Sequence, residues 1–192
     1  MPDIDDSTRP PMLIRLLDAA ERFSVLTACI GGGILAVLAF FITFDALGRG
    51  YGGFYSGATD EISGYAMCLA VTWTLAYTLT IDKHVRVDLI FGMVSPRARR
   101  MLDRIALLLL TVFAFLLAAN SLRMAMESFE FGILSTSVLQ VPVGIPQSLM
   151  AVGFMILALQ GAVTFLVGLI YPSALKRSAA LERRSAPEQF EI

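Results

Sequence analysis

The sequence predicts an all-α integral membrane protein with four transmembrane helices, a short interfacial segment between the second and third helices, and both termini in the cytoplasm. Hydrophobic residues make up 56% of the 192 residues, above the roughly 45 to 50% of ordinary soluble domains, and the mean hydropathy is +0.71. The apolar residues are gathered into charge-free stretches, each long enough to cross about 30 Å of hydrocarbon as a helix. Lys and Arg are distributed unequally among the segments that connect these stretches.

The charge-free stretches predict a membrane domain over residues 23–172, with spans at about 23–45, 61–82, 103–124 and 146–171. Residues 1–22 are acidic and contain proline, unlike the basic start of a secretory signal peptide, so we expect a cytoplasmic N-terminal segment. Ser95 and Pro96 are the residue types of an N-cap and a first helical position, and they predict the start of the third helix. Because proline is poorly tolerated inside a helix, Pro142 and Pro146 place the start of the fourth span near Pro146. Residues 173–192 form a polar tail.

The basic residues predict the orientation. Thirteen of the 15 Lys and Arg lie in the N-terminal segment, in the connection between spans two and three, and in the C-terminal tail, and the other two connections contain only Arg49 and Arg123. Because positive charge accumulates on the cytoplasmic side, both termini are expected there, as an even number of spans also requires. The basic connection is expected to contact anionic lipids at that face.

Ionisable and metal-binding residues are sparse. The net charge of −1 gives no basic surface for nucleic acid, and one histidine with two isolated cysteines provides no zinc or haem ligand set. We therefore predict no enzyme, cofactor, metal site or catalytic residue. The ionisable residues nearest the spans lie at their ends, where side chains can reach the interface: Asp45, Glu61, Asp82, Asp103 and Arg123. Since ion exchange within a membrane needs a deeper ionisable group, the pattern indicates a protein that holds another protein.

Small residues recur every four positions in three of the predicted spans, in the series Ala28, Gly32, Ala36; Ala114, Ala118; and Ala158, Ala162. Such series allow helices to approach closely, although Ala and Gly are also simply frequent in membrane helices. Trp73 and Tyr77 share one face of the second span. They are expected to pack against lipid or the core, with a partner-binding stripe as the alternative.

Three stretches resemble a known family. The segment "DKHVRVDLIFGMVSPRARRMLD" carries His84, Val87, Asp88, Pro96 and Asp103, and "LGRGYGGFYSGATDEISGYAMCLAVTWTLAYTL" carries Arg49, Glu61, Ile62 and Tyr65. The third, "STSVLQVPVGIPQSLMAVGF", carries Pro142, Pro146 and Gly153. Together they resemble the small, DctQ-type membrane subunit of tripartite ATP-independent periplasmic (TRAP) transporters, over about residues 25–175. Lys83 replaces the family's usual glycine before the histidine, and the order of prolines and glycine before the last span differs.

The resemblance implies a subunit of the bacterial inner membrane that binds no substrate and braces a large permease subunit. The large subunit would move the substrate, expected to be an organic acid and a carboxylate, together with a coupling ion, expected to be sodium, and a periplasmic substrate-binding protein would deliver it. The alternatives are the small four-span subunit of a tricarboxylate-type tripartite transporter and an independent small membrane transporter. The candidates for structural or partner contacts are Arg49, Glu61, Tyr65, Trp73, Tyr77, His84, Asp88, Pro142 and Pro146.

A more specific hypothesis concerns His84 and Asp88. Residues 82–94 contain enough apolar residues beside Arg86 and Asp88 to lie in the membrane interface. We predict that His84 and Asp88 fix the bend out of the second span by hydrogen bonds to the backbone, because polar groups near hydrocarbon must be paired. The alternative is that both side chains are merely exposed at the interface.

Overall fold

Four long helices form the fold in a computed structural model that describes residues 12–53, 56–80 and 96–170. They are α1 (Met12–Tyr51), α2 (Thr59–Thr80), α3 (Pro96–Glu130) and α4 (Gly144–Ile170). Each is long and apolar enough to cross a membrane. Within the described residues there is no strand, only an isolated β-bridge between Leu134 and Pro142. The predicted all-α fold with four membrane-spanning helices is confirmed.

The helix bounds follow the local sequence signals. α3 begins at Pro96, and α4 begins two residues before Pro146, so each proline lies in a first turn, where its missing N–H removes no helical hydrogen bond. α1 and α3 continue beyond the apolar stretches, because a helix satisfies its own backbone in water as well as in lipid. The predicted span limits remain predictions. The segment with His84 and Asp88, residues 1–11 and the predicted tail lie outside the described residues.

α4 is the central helix. It packs against each of the other three, whereas α3 packs chiefly on α4, and α1 packs on α2 and α4. In its most apolar window 39% of the residues are buried, against 17% in each of the other helices. One side of α3 is therefore left without a neighbour among the helices that the structure describes.

Large apolar side chains cover the outside of the bundle, and small ones fill its inside. Phe40 and Phe44 are more than three-quarters exposed, whereas Ala114, Ala118 and Ala158 are buried. Hydrocarbon solvates large apolar side chains well, so helix association in a membrane depends on close packing rather than on hiding them. This arrangement supports assignment of the outer surface to lipid or to a membrane partner.

Three glycines lie where two helices approach closely. A Cβ atom on Gly153 would lie 2.8 Å from the Thr72 side chain of α2, and one on Gly161 would lie 2.5 Å from Thr111 Oγ1 of α3. On α1 the close approach is at Gly31, where a Cβ would lie 2.9 Å from the Ala70 carbonyl oxygen, while Gly32 faces open space. The small-residue series therefore marks internal contacts on α3 and α4, but the series on α1 does not.

Candidate functional site: the loop end of the bundle

We call the end where residues 51–58 and 131–143 connect the helices the loop end of the bundle. Asp45, in the last turns of α1, is 6% exposed there. Its Oδ1 accepts a hydrogen bond from the Ser56 backbone N–H at 2.8 Å, and its Oδ2 accepts one from Arg49 Nη2 at 2.9 Å. Because Ser56 lies just before α2, the carboxylate ties the end of α1 to the start of α2.

Arg49, a predicted contact residue, contributes to this arrangement from the outside. It lies four residues after Asp45, a spacing that brings the two side chains together on a helix, and its side chain is 62% exposed. An open cleft of about 300 Å³ lies beside the pair and is lined by Ile42, Asp45, Ala46, Arg49, Thr59 and Asp60. The resemblance identified Arg49, but sequence reasoning read Asp45 only as an interfacial anchor. The Asp-to-Arg spacing of four was the signal that could have identified it.

Glu61 and Tyr65, two further predicted residues, are brought together in the first turns of α2. The Tyr65 hydroxyl donates to Glu61 Oε1 at 2.9 Å, and the Ser137 hydroxyl donates to Glu61 Oε2. Ser135 and Ser137 are themselves joined through their hydroxyl oxygens at 3.1 Å. Glu61 thus connects α2 to the loop between α3 and α4. No sequence signal pointed to Ser137, since its partner is 76 residues away.

The loop of residues 131–143 is an ordered hairpin-like turn. The Ser135 N–H donates to the Val141 carbonyl at 2.9 Å, and the Val143 N–H donates to the Ile133 carbonyl at 3.1 Å. Gln140 has a φ of 45°, a left-handed conformation that is uncommon for residues other than glycine. Pro142 is exposed, and its carbonyl accepts the Ile145 N–H at 3.0 Å as α4 begins. Pro142 therefore lies at the entry into α4, and the contact role of Pro142 and Pro146 stays a prediction.

Trp73 lies at the contact between α2 and α4. Its indole Nε1 donates to the Leu149 carbonyl at 3.0 Å, and its ring borders Gly153. Tyr77, one turn further along α2, is half-buried. Of the two roles considered for this pair, packing within the chain describes Trp73, while a partner contact for Tyr77 stays a prediction.

Polar side chains also join α4 to its other neighbours. Ser24 Oγ of α1 lies 3.2 Å from Gln160 Oε1, and Ser128 Oγ of α3 donates to Gln147 Oε1 at 2.7 Å. Gln160 is 1% exposed, and its Nε2 has no partner among the described residues. Neutral amides and hydroxyls barely change the hydropathy of a long apolar stretch, which is why the sequence did not single these residues out.

The site as a whole holds helices in register. Among the described residues, no group of three or more His, Cys, Asp or Glu side chains is placed to hold a metal ion. The paired groups at the loop end connect the end of α1, the start of α2 and the loop between α3 and α4. Such an arrangement can present a fixed surface to another protein.

The family is given by comparison with known proteins. A family model of the DctQ component of tripartite ATP-independent periplasmic transporters matches residues 38–170. The chain belongs to the DctQ family. No curated protein and no solved structure matches it. It is therefore a small membrane subunit of a TRAP transporter and falls in a family of transporter components rather than of enzymes.

The DctQ match covers the loop end completely. It runs from Leu38, midway along α1, to Ile170, the last residue of α4. The Asp45 carboxylate, the Glu61 network and the loop with Pro142 all lie inside it. The match confirms the family that the sequence resembles, while the roles of the individual candidate residues remain predictions.

Proposed function

We propose that this chain is the non-substrate-binding small subunit of its TRAP transporter and that it braces the large permease subunit. The observation that carries the proposal is the DctQ match across residues 38–170. The paired polar groups at the loop end support it, because they stiffen the connections between helices. The large subunit would then move the substrate and the coupling ion, and a periplasmic binding protein would deliver the substrate.

The remaining parts of the proposal concern substrate and placement. The substrate is an organic acid and the coupling ion is sodium, bound by the large subunit. The protein lies in the bacterial inner membrane with both termini in the cytoplasm, since 13 of its 15 basic residues are in the segments assigned to that side. Those residues contact anionic lipid. The bend after α2 is held by His84 and Asp88, and replacing either by Ala should impair assembly.

Reconstitution tests the proposal. Liposomes are prepared with this chain, with the large permease subunit of the same transporter, or with both, and the binding protein is added with a sodium gradient. A labelled C4-dicarboxylate, a 2-oxo acid and an acidic sugar serve as probes. Uptake of a probe is expected only when both membrane subunits and the binding protein are present. Accumulation by this chain alone, or full uptake by the large subunit without it, would overturn the proposal.

A further inference from the structure

The outer face of α3 carries polar side chains that the bundle leaves uncovered. Asn120, Arg123 and Glu127 follow at spacings of three and four, so they lie on one side of the helix. Asn120 is exposed, and the side chains of Arg123 and Glu127 are 73% and 57% exposed. Ala118 and Ala125, on the other side of α3, are buried.

The packing of α3 against α4 sets the depth of this face. Thr111 lies opposite Gly161, and Ser128 hydrogen-bonds to Gln147. Asn120 is midway along α3 between Thr111 and Ser128, so it is level with the middle of the facing segment of α4. That position is next to Gly153.

The contacts of Gly153 with α2 show which part of α2 is level with Asn120. It lies against Thr72 and Trp73, in the middle of the charge-free sequence 62–81. Asn120 is therefore level with the centre of the apolar part of α2. At 1.5 Å of rise per residue, Arg123 and Glu127 lie only about 5 and 10 Å closer to the loop end. The sequence placed Arg123 at the end of a span, but the helix register places that end level with the interior of its neighbours.

Lipid tails offer no hydrogen-bonding or ionic partner to these three side chains. Asn120 Nδ2 donates to the Leu116 carbonyl of its own helix at 3.0 Å, a bond that leaves the amide oxygen Oδ1 unused. Arg123 Nε reaches Glu127 Oε1 only at 3.8 Å. A long Arg side chain can extend towards an interface, but the short Asn amide cannot. Polar groups at such depth generally face protein or water rather than hydrocarbon.

We infer that the outer face of α3 around Asn120, Arg123 and Glu127 is the surface that contacts a membrane helix of the large permease subunit. This inference rests on the proposed function and specifies the interface. The partner helix carries a hydrogen-bonding side chain or free backbone carbonyl level with Asn120, and a carboxylate nearer the loop end to pair with Arg123. Hydrogen bonds across such contacts join membrane helices.

Co-purification tests the inference. The tagged chain is co-expressed with the large permease subunit of the same transporter, as wild type, Asn120→Leu, Asn120→Trp or Arg123→Leu. Ile30→Trp is the matched control, because Ile30 is exposed on α1 beside Gly31, which contacts Ala70 near the same depth. The Asn120→Trp variant is expected to retain at least tenfold less large subunit, and the two Leu variants severalfold less. Ile30→Trp should retain the wild-type amount.

Two further measurements separate the outcomes. The isolated variants should unfold at the wild-type temperature, since Asn120 bonds only within its own helix. A photo-crosslinking amino acid at position 120 should form an adduct with the large subunit. Undiminished co-purification of both Asn120 variants, an adduct with a second copy of this chain, or labelling by lipid alone would overturn the inference while leaving the proposed function intact. If the wild-type chain fails to co-purify, the proposed function itself fails.

Discussion

At the scale of single residues, Asp45 shows how a membrane protein uses a buried acid. The carboxylate is nearly inaccessible, yet both oxygens are paired, one with the Ser56 backbone and one with Arg49. A buried charge is tolerated only when it is paired in this way. The residue that looked like an interfacial anchor therefore holds a loop.

Replacing Asp45 should show whether it holds the loop before α2 or only anchors α1 at the membrane interface. Asp45→Ala removes the acceptor of the Ser56 N–H and the partner of Arg49, so the purified chain should unfold at a lower temperature than wild type. Asp45→Asn keeps an acceptor oxygen and should lose less. Thermal unfolding in detergent, followed by size-exclusion chromatography, measures both. Equal unfolding temperatures for Asp45→Ala and wild type would show that the contact contributes nothing.

At the scale of elements, α4 organises the bundle through glycine contacts and polar pairs. Gly153 meets α2, Gly161 meets α3, and Gln160 meets α1 through Ser24. The three contacts lie within about two turns, so this one segment contacts all three neighbouring helices. Because small residues allow the helix backbones to approach, larger ones at these positions must displace a neighbour.

Two glycine substitutions test this account with the same chemical change. Gly153→Val forces its side chain into Thr72 and Trp73 and should destabilise the purified chain by at least about 1 to 3 kcal/mol, the usual range for overpacking. Gly32→Val enters open space and should leave stability within about 1 kcal/mol. Unfolding in increasing dodecyl sulfate gives both values. If the two variants lose stability equally, the contact at Gly153 is not the cause.

At the scale of the whole molecule, the helices are staggered rather than aligned. The end of the charge-free stretch of α3 is level with the middle of α2, as the contacts at Gly161, Gly153 and Ser128 require. A staggered bundle in which one side of α3 has no neighbour among the described helices suits a subunit that is completed by another membrane protein. The isolated chain then buries only part of the surface that it would bury in the complex.

Orientation is the prediction that belongs to this scale. With Cys29 and Cys68 replaced by Ala, a membrane-impermeant maleimide should label Val138→Cys in cells with a permeabilised outer membrane. Val138 is 79% exposed in the loop between α3 and α4. The control Ser173→Cys, in the predicted cytoplasmic tail, should react only after the inner membrane is broken. The opposite pattern would contradict the positive-inside assignment.

The sequence by itself determined the fold class, the number of spanning helices and the family, while the tertiary structure alone decided which residues meet. Hydropathy and length suffice for the fold class and the number of helices, because a helix crosses hydrocarbon only if it is long, apolar and free of charge. The motifs that carry Arg49, His84 and Pro142 pointed to the family. The candidates Arg49, Glu61 and Tyr65 came from the family resemblance, and the structure places all three at the loop end of the bundle. Ser137, Gln160 and the close approach at Gly31 could not be predicted, nor could the depth of Asn120. These depend on how side chains distant in sequence interlock, and that packing sets the register between helices.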